Sequence, residues 1–185
     1  MTILKSSQAP CNLLFALLLI AFSNNSLADI ESDIINKLAI GEQLAQYSYR
    51  WDGKDSTGFT ELFTEDGIME RWLAGSFVEG SRVEGRAAIG EYARQSHQGR
   101  LADRQTRHHF SALVFLELTE ENAVTENMAL ITHQRAQDRA AFISGGGIYR
   151  NYWEKTDDGW LIGKRVLFSD SFSPGSSRPD FRLFR

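Results

Sequence analysis

The chain contains almost no cysteine: Cys11 is the only one among its 185 residues. Cys11 precedes the apolar run of residues 13–22 instead of following it, so it is not placed to carry a lipid anchor. No cysteine remains after residue 28, so no disulfide can stabilise the domain and its stability must come from a hydrophobic core. The roughly 157 residues that follow are enough for one such domain.

Long apolar runs and basic runs are also missing. No segment after residue 28 approaches the roughly 20 apolar residues of a transmembrane helix, so no membrane partner is expected. The formal net charge is −4, and the absence of a basic run argues against a nucleic-acid partner. No repeat or low-complexity tract is visible, and no motif indicates a nucleotide, flavin or metal cofactor.

Residues 1–28 have the pattern of a secretory signal peptide. Lys5 gives a weakly positive start, residues 13–22 form the apolar stretch, and Ser26-Leu27-Ala28 is a small-residue cleavage site. Cleavage near Ala28 predicts an exported protein, either periplasmic or secreted. The expected organisation is a signal peptide (1–28), one domain (29–170) and a C-terminal tail (171–185).

A first helix is predicted from Ser32, which is suited to an N-cap, to about Asp52. On a helical wheel one row, interpreted as buried, consists of Ile34, Leu38, Gly41, Ala45, Ser48 and Asp52. The neighbouring row consists of Ile40, Leu44, Tyr47 and Trp51. A buried Asp52 must find partners or shift its pKa, because burying an unpaired charge is costly. The alternative is an aspartate that turns to solvent before Gly53.

The remaining elements place helices first and strands last. The predicted helices are 58–63 and 86–95, and the predicted strands are 68–73, 77–83, 106–118, 123–137, 141–155 and 160–168. Gly145-Gly146-Gly147 inside a strand marks a bulge or bend, whereas a phosphate loop is disfavoured because no helix follows. Such a bend would curl the sheet around the first helix into an open cone. Phe181 and Phe184 of the tail either cover its mouth or stay loosely ordered.

Two histidines are predicted to face each other across a hairpin. If Leu118 pairs with Ala123 across the four-residue loop, paired residue numbers sum to 241, and His108 lies opposite His133. Two imidazoles there form a catalytic pair, a metal site or an accident of register. A bulge that shifts the register by one residue would turn His133 to the other face.

The other two histidines, His97 and His109, are not expected to take part in the site. His109 follows His108 directly, so it is expected on the opposite face of the strand. His97 lies in a polar segment and is expected to be solvated.

The order of these segments resembles the nuclear transport factor 2-like superfamily, in its SnoaL-like branch. The segments that carry the resemblance are Tyr47 and Asp52 at the end of the first helix, 62–67, Gly85 with Ile89, 106–108 and 158–160. The resemblance implies an α+β fold, a cone-shaped curved antiparallel sheet wrapped around N-terminal helices, also described as cystatin-like. It does not fix the function, because the superfamily includes dehydratases, isomerases, cyclases, epoxide hydrolases and non-catalytic proteins. Many members pair through the outer sheet face, so a homodimer is expected.

Within the superfamily, residues 51–55, 106–108 and 132–135 are similar to segments of scytalone dehydratases. This similarity implies a catalytic triad of Asp52, His108 and His133, in which His108 is the general acid/base and the other two orient and tune it. The chain also departs from that pattern. Trp51 replaces a tyrosine, Gly147 and Tyr149 replace a serine and an asparagine, and a tyrosine expected near Glu70 and Arg71 is missing.

The predicted function is a cofactor-independent lyase or isomerase that acts on a small cyclic or aromatic hydroxy-carbonyl compound by dehydratase-type proton transfer. The residues expected to bind substrate are Tyr47, Trp51, Trp72, Phe110, Ile131 and Tyr149. The apolar ones among them suit a small apolar or aromatic molecule, which is the expected partner. Tyr47 or Tyr149 would donate a hydrogen bond to the substrate carbonyl. One alternative is a non-catalytic exported binding or accessory protein with the same pocket. Another is a metal triad of Asp52 and two histidines, disfavoured because no His-x-x-x-His pattern is present.

Overall fold

The computed structural model describes the backbone of residues 11–171 and the side chains of residue 27 and residues 29–171. Residues 1–10 of the expected signal peptide lie outside the described residues. The tail phenylalanines Phe181 and Phe184 also lie outside them.

Within residues 11–171 the chain forms three helices and seven strands. They are α1 (Cys11–Asp52), α2 (Ser56–Thr60), β1 (Phe63–Leu73), β2 (Ser76–Phe77), β3 (Val83–Glu84), α3 (Arg86–Gln98), β4 (Arg104–Leu118), β5 (Asn122–Arg135), β6 (Phe142–Thr156) and β7 (Gly159–Ser169). The strands form one sheet in the order β2-β1-β7-β6-β5-β4, with β3 also paired to β1. The predicted α+β class, with N-terminal helices and a curved sheet, is confirmed.

The sheet is mixed, because one of its strand pairs is parallel. β1 and β7 run in the same direction, whereas the other pairs are antiparallel. Parallel strands need a long connection, and here α3 and the strands β4 to β6 provide it. The expectation of a wholly antiparallel sheet is therefore corrected at this one pair.

α1 begins well before the predicted N-cap at Ser32. Residues 11–40 contain neither proline nor glycine, so nothing in the sequence ends the helix there. The predicted end at Asp52 is correct. The chain divides inside α1 into two compact units, residues 1–37 and residues 38–185. None of the helices in the described part of the chain combines the length and apolarity needed to cross a membrane.

The buried side of α1 differs from the predicted row. Ile34 and Leu38 are 53% and 70% exposed, whereas the neighbouring row of Ile40, Leu44, Tyr47 and Trp51 is buried. Asp52 is nevertheless buried, because it follows Trp51 at the edge of that row. This row joins a hydrophobic core formed by Phe59, Leu62, Phe63, Ile89, Ala93, Leu101, Ala123, Trp153, Trp160 and Ile162. Burial of each large apolar side chain contributes about 1.5–3 kcal/mol to folding.

The β4–β5 hairpin begins in the predicted register and then leaves it. Leu118 pairs with Ala123 as expected. Farther along, β4 carries one extra residue near position 116 and another near position 112. Ala112 has a left-handed φ of 54°, which is typical of a bulge.

These two bulges decide where the histidines lie. His108 pairs with Ile131, and His133 pairs with Thr106, so the prediction that His108 faces His133 is wrong. Each bulge shifts the register by one residue, and two shifts restore the in-and-out alternation. Both histidines therefore point to the same side of the sheet, displaced from each other by two pairs along the strands. We call this side, which carries Asn127, Asn151 and Trp153, the inner face.

The glycine triplet of β6 marks a bulge, as predicted. Ile131 pairs with Gly145 but the next residue, Thr132, pairs with Ile143, so β6 has one extra residue here. At Gly147 the backbone of β7 comes so close that an added Cβ would collide with the carbonyl oxygen of Phe168. Only glycine fits this contact without moving β7.

We expect Gly147→Ala to lower the free energy of unfolding by about 1–3 kcal/mol, because the methyl group must push β7 away from β6. Urea unfolding measures the change. Gly145→Ala is the matched control, since an added Cβ there meets no atom within 4 Å. Equal stability of the two variants would contradict the prediction.

Candidate active site

Asp52 and His108 form a buried hydrogen-bonded pair where the end of α1 meets β4. Asp52 Oδ1 lies 2.8 Å from His108 Nδ1, and the backbone N–H of His108 donates to Asp52 Oδ2 at 2.7 Å. The Thr106 hydroxyl donates to Oδ1 at 2.6 Å. The side chains of His108 and Asp52 are only 6% and 8% exposed. The carboxylate therefore has three donors in place of water.

These donors determine the ionisation of Asp52. Burial raises the pKa of its carboxyl group, but the hydrogen bonds and charge of His108 and the Thr106 hydroxyl outweigh burial and lower the pKa overall. An ionised carboxylate can only accept hydrogen bonds, so Nδ1 of His108 must carry the proton that they share. The other ring nitrogen, Nε2, is therefore the one available to a ligand.

Aromatic rings surround the His108 imidazole. The ring centroids of Phe110, Tyr47 and Trp51 lie 5.8, 6.2 and 6.5 Å from it. Tyr149 on β6 adjoins both Tyr47, at 6.2 Å, and Phe110, at 5.7 Å. Four residues expected to bind substrate thus lie together beside the histidine. Ile131, a fifth, pairs with His108 on β5 and is half-buried.

Trp72 does not belong to this group, contrary to the prediction. On β1 it pairs with Phe168, and its ring contacts those of Phe168 and Phe77. Met69 on the same strand pairs with Arg165, which lies on the inner face. Three residues farther along, alternation turns the Trp72 side chain to the opposite, outer face.

His133 lies beside the pair without joining it. It is half-buried at the end of β5, and its ring packs 6.0 Å from that of Phe142. Burial and the nearby charge of Arg104 lower its pKa, so it is neutral at pH 7. No hydrogen bond among the described side chains connects His133 with Asp52 or His108. Within residues 29–171 no group of three histidine, cysteine, aspartate or glutamate side chains is arranged to hold a metal ion.

The two remaining histidines differ from each other. His109 is exposed and its Nε2 lies 3.1 Å from the Thr132 hydroxyl, in keeping with a residue on the outer face. His97 was expected in solvent, but it is only 5% exposed. α3 continues to Gln98 and turns the His97 ring onto Trp51, at 4.8 Å between centroids. Burial lowers the pKa of His97.

Arg165 also lies on the inner face, although simple alternation along β7 does not predict it there. Counting from buried Ile162, alternation would place Lys164 inside, but a register shift at Gly163 places Arg165 there instead. Its guanidinium carbon lies 3.6 Å from the ring centroid of Tyr47 and 3.8 Å from that of Tyr149. The only signal in the sequence is a glycine inside a strand.

The two tyrosines beside Arg165 remain protonated. Burial raises the pKa of Tyr47 and of Tyr149, and the positive charge of Arg165 offsets only part of that effect. Each hydroxyl can therefore donate a hydrogen bond at neutral pH.

The sequence profile of the SnoaL-like domain matches residues 33–166. The chain belongs to the SnoaL-like domain family. Its fold is nuclear transport factor 2-like, or cystatin-like, as the sequence predicted. No curated protein sequence matches this SnoaL-like domain.

Several solved structures share this fold. Rv3472 of Mycobacterium tuberculosis, of unknown function, has a TM-score of 0.67 and 26% identity, over 82% of this chain and 81% of that chain. A nuclear transport factor 2-like protein from Novosphingobium aromaticivorans has a TM-score of 0.68 and 21% identity, over 82% and 93%. Another protein of that organism, provisionally assigned as a scytalone dehydratase, has a TM-score of 0.66 and 21% identity, over 84% and 99%. The likeness to the last two shows the fold alone.

The lowered pKa of Asp52 predicts an acid-dependent loss of stability. Its contribution is complete above the pKa of the unfolded chain, about 3.9, and disappears as the pH falls through the lower pKa of the folded state. We expect Asp52→Asn to cost about 2 kcal/mol at neutral pH and progressively less in acid. Urea unfolding of both proteins from about pH 7 to about pH 3 measures this difference.

The exposed hairpin residue Asp157 provides the control, since Asp157→Asn makes the same chemical change in solvent. A loss of stability in Asp52→Asn that stays constant down to the lowest pH would disprove the assignment of an ionised, hydrogen-bonded carboxylate.

Proposed function

We propose that this SnoaL-like domain is a cofactor-independent lyase or isomerase of the dehydratase type. Its substrate is a small cyclic or aromatic hydroxy-carbonyl compound. The observation that carries the proposal is the buried Asp52–His108 pair, in which the carboxylate accepts the proton of Nδ1 and leaves Nε2 for the substrate.

In the proposed reaction His108 acts first as a base and then as an acid. Nε2 removes a proton from the carbon next to the substrate carbonyl, and the electrons of that C–H bond form an enolate. The resulting imidazolium is stabilised by the Asp52 carboxylate. It then protonates the departing hydroxyl, which leaves as water while the enolate electrons form the new C=C bond. Proton transfer of this kind contributes about 10²–10⁴-fold to a rate.

The surrounding residues have supporting roles in this proposal. The protonated hydroxyls of Tyr47 and Tyr149 are donors for the enolate oxygen, where negative charge develops. Phe110 and Trp51 supply apolar walls beside the imidazole. His133 is neutral and lies two pairs away from His108, which suits it to orient the substrate or a water molecule rather than to move the proton itself.

A binding or accessory protein without turnover is the second candidate. It is favoured by the dense aromatic packing between the helices and β1, where the rings of Tyr47 and Phe59 lie 4.9 Å apart and those of Phe59 and Phe63 lie 5.4 Å apart. Such packing suits a site that holds an apolar ligand without changing it.

Export and pairing complete the proposal. Residues 1–28 direct the protein out of the cytoplasm, and two copies associate through the outer face of the sheet. On that face Met128, Leu130 and Ile143 are 54%, 43% and 68% exposed, although they are apolar.

The enzymatic candidate predicts proton exchange at carbon. In D₂O, the wild-type protein should catalyse loss of the α-proton NMR signal from members of a panel of small cyclic hydroxy-ketones. His108→Asn should slow this exchange about 10²–10⁴-fold, because it removes Nε2, the proposed base. Asp52→Asn should slow it as well, through loss of the correct tautomer.

His109→Asn is the matched control, because it removes the adjacent histidine from the outer face and should leave the exchange rate unchanged. Exchange that survives in His108→Asn would refute the catalytic role. Saturable binding of the panel compounds without any exchange would favour the binding protein instead.

The proposed dimer is tested by light scattering on a sizing column. The wild-type protein should have the mass of two chains, and Leu130→Glu should shift it to one, because a charge would be buried at the interface. Tyr49→Glu, at a residue of α1 that is 80% exposed, should remain dimeric. A single-chain mass for the wild-type protein would refute the pairing.

A further inference from the structure

Arg165 is a buried cation without an anionic partner. Its side chain is among the largest that are fully buried, and the residue is 2% exposed. None of the ion pairs among the described residues includes Arg165. Burying a charge without a counter-ion is strongly unfavourable. The described residues provide no anion that would neutralise the guanidinium.

The neighbours of Arg165 compensate only part of its charge. The faces of Tyr47 and Tyr149 enclose the guanidinium and provide cation–π attraction. Nη1 donates to the amide oxygen of Asn151 at 2.5 Å. Asn151 is itself held by Asn127, whose amide oxygen accepts from Asn151 Nδ2 at 3.2 Å. These contacts fix the orientation of the guanidinium but supply no negative charge.

Two donors of the guanidinium, Nε and Nη2, make no hydrogen bond of normal geometry, although Arg165 also interacts with the hydroxyls of Tyr47 and Tyr149. These two N–H groups lie on the same edge of the planar guanidinium and point in parallel. A parallel pair of donors matches the two oxygens of a carboxylate, which arginine binds in a bidentate manner. The fixed orientation of Arg165 therefore leaves free the edge with the geometry for carboxylate recognition.

This edge lies close to the catalytic pair. Phe110 is a common neighbour, with its ring centroid 5.8 Å from that of His108 and 5.5 Å from the guanidinium carbon of Arg165. Tyr47 also contacts both residues. Arg165 and His108 therefore share two aromatic neighbours, so a ligand held by Arg165 would lie beside the same rings that adjoin His108.

We propose that the Nε–Nη2 edge of Arg165 binds a carboxylate group of a ligand that lies against the inner face. The substrate class is then a carboxylate-bearing hydroxy-carbonyl compound. This statement about turnover rests on the proposed function, whereas binding of the carboxylate does not. Arg165 acts in binding and specificity, and it holds the substrate next to His108.

The test uses sodium benzoate as the carboxylate probe and benzamide as its neutral counterpart of the same shape. In ¹H–¹⁵N NMR spectra of the wild-type protein, the Arg165 Nε–H signal should shift saturably downfield with benzoate and stay in place with benzamide. Absence of a saturable shift with benzoate, or an equal shift with benzamide, would overturn the proposal. This measurement needs no substitution, so it does not depend on how a variant folds.

Variants then identify the group that binds. Arg165→Gln should weaken benzoate binding at least about tenfold, and Arg165→Lys should also weaken it because lysine lacks the parallel donors. Arg150→Gln is the control, since Arg150 is paired with Glu126 and should bind benzoate normally. Benzoate affinity that is unchanged in Arg165→Gln would place the carboxylate elsewhere and overturn the proposal.

The same proteins separate this proposal from the proposed function. Benzoate binding that requires Arg165, together with no proton exchange on any compound, would support the carboxylate site and reject the enzyme. Exchange on neutral ketones without benzoate binding would support the enzyme and reject the carboxylate site.

Discussion

The site depends on the carboxylate of Asp52, which is buried and surrounded by donors from a single strand. The ring and backbone N–H of His108 and the hydroxyl of Thr106 all come from β4, so one carboxylate fastens the end of α1 to that strand. The same contacts hold the imidazole in one orientation and one tautomer. Structural stability and the candidate chemistry therefore rely on the same hydrogen bonds, and they cannot be separated by changing Asp52 alone.

Much of the fold could be read from the sequence because its signals are local. Alternating apolar residues and turn signals predicted β4 to β7 within two residues of their observed ends. The earlier strands were predicted less well, because β1 begins at Phe63, inside the predicted helix 58–63, and the predicted strand 77–83 is two short strands, β2 and β3. Asp52 and His108 could be singled out through the similarity of their segments to a known family. The start of α1 could not be predicted from Ser32, since a capping residue does not end a helix when the residues before it also favour one.

The errors within the site have one physical source, which is the β-bulge. Two bulges in β4 moved His133 away from its predicted partner, and a shift at Gly163 exchanged Lys164 for Arg165 on the inner face. A bulge adds a single residue, so it leaves the apolar pattern nearly intact while it changes which side chains meet. The position of Trp72 was mistaken for a related reason, because the face of a strand is decided by pairing with neighbours distant in sequence.

The parallel pairing of β1 with β7 also constrains the order in which the molecule folds. β7 lies between β1 and β6 in the sheet, although about 90 residues of chain separate β1 from β7. Until β7 docks, β1 has no neighbour on that side, and the guanidinium of Arg165 is absent from the inner face. Contacts between such distant segments form slowly, because a long loop must close first. During synthesis Arg165 is therefore the last part of the site to be added, after the chain that carries Asp52 and His108 is already available.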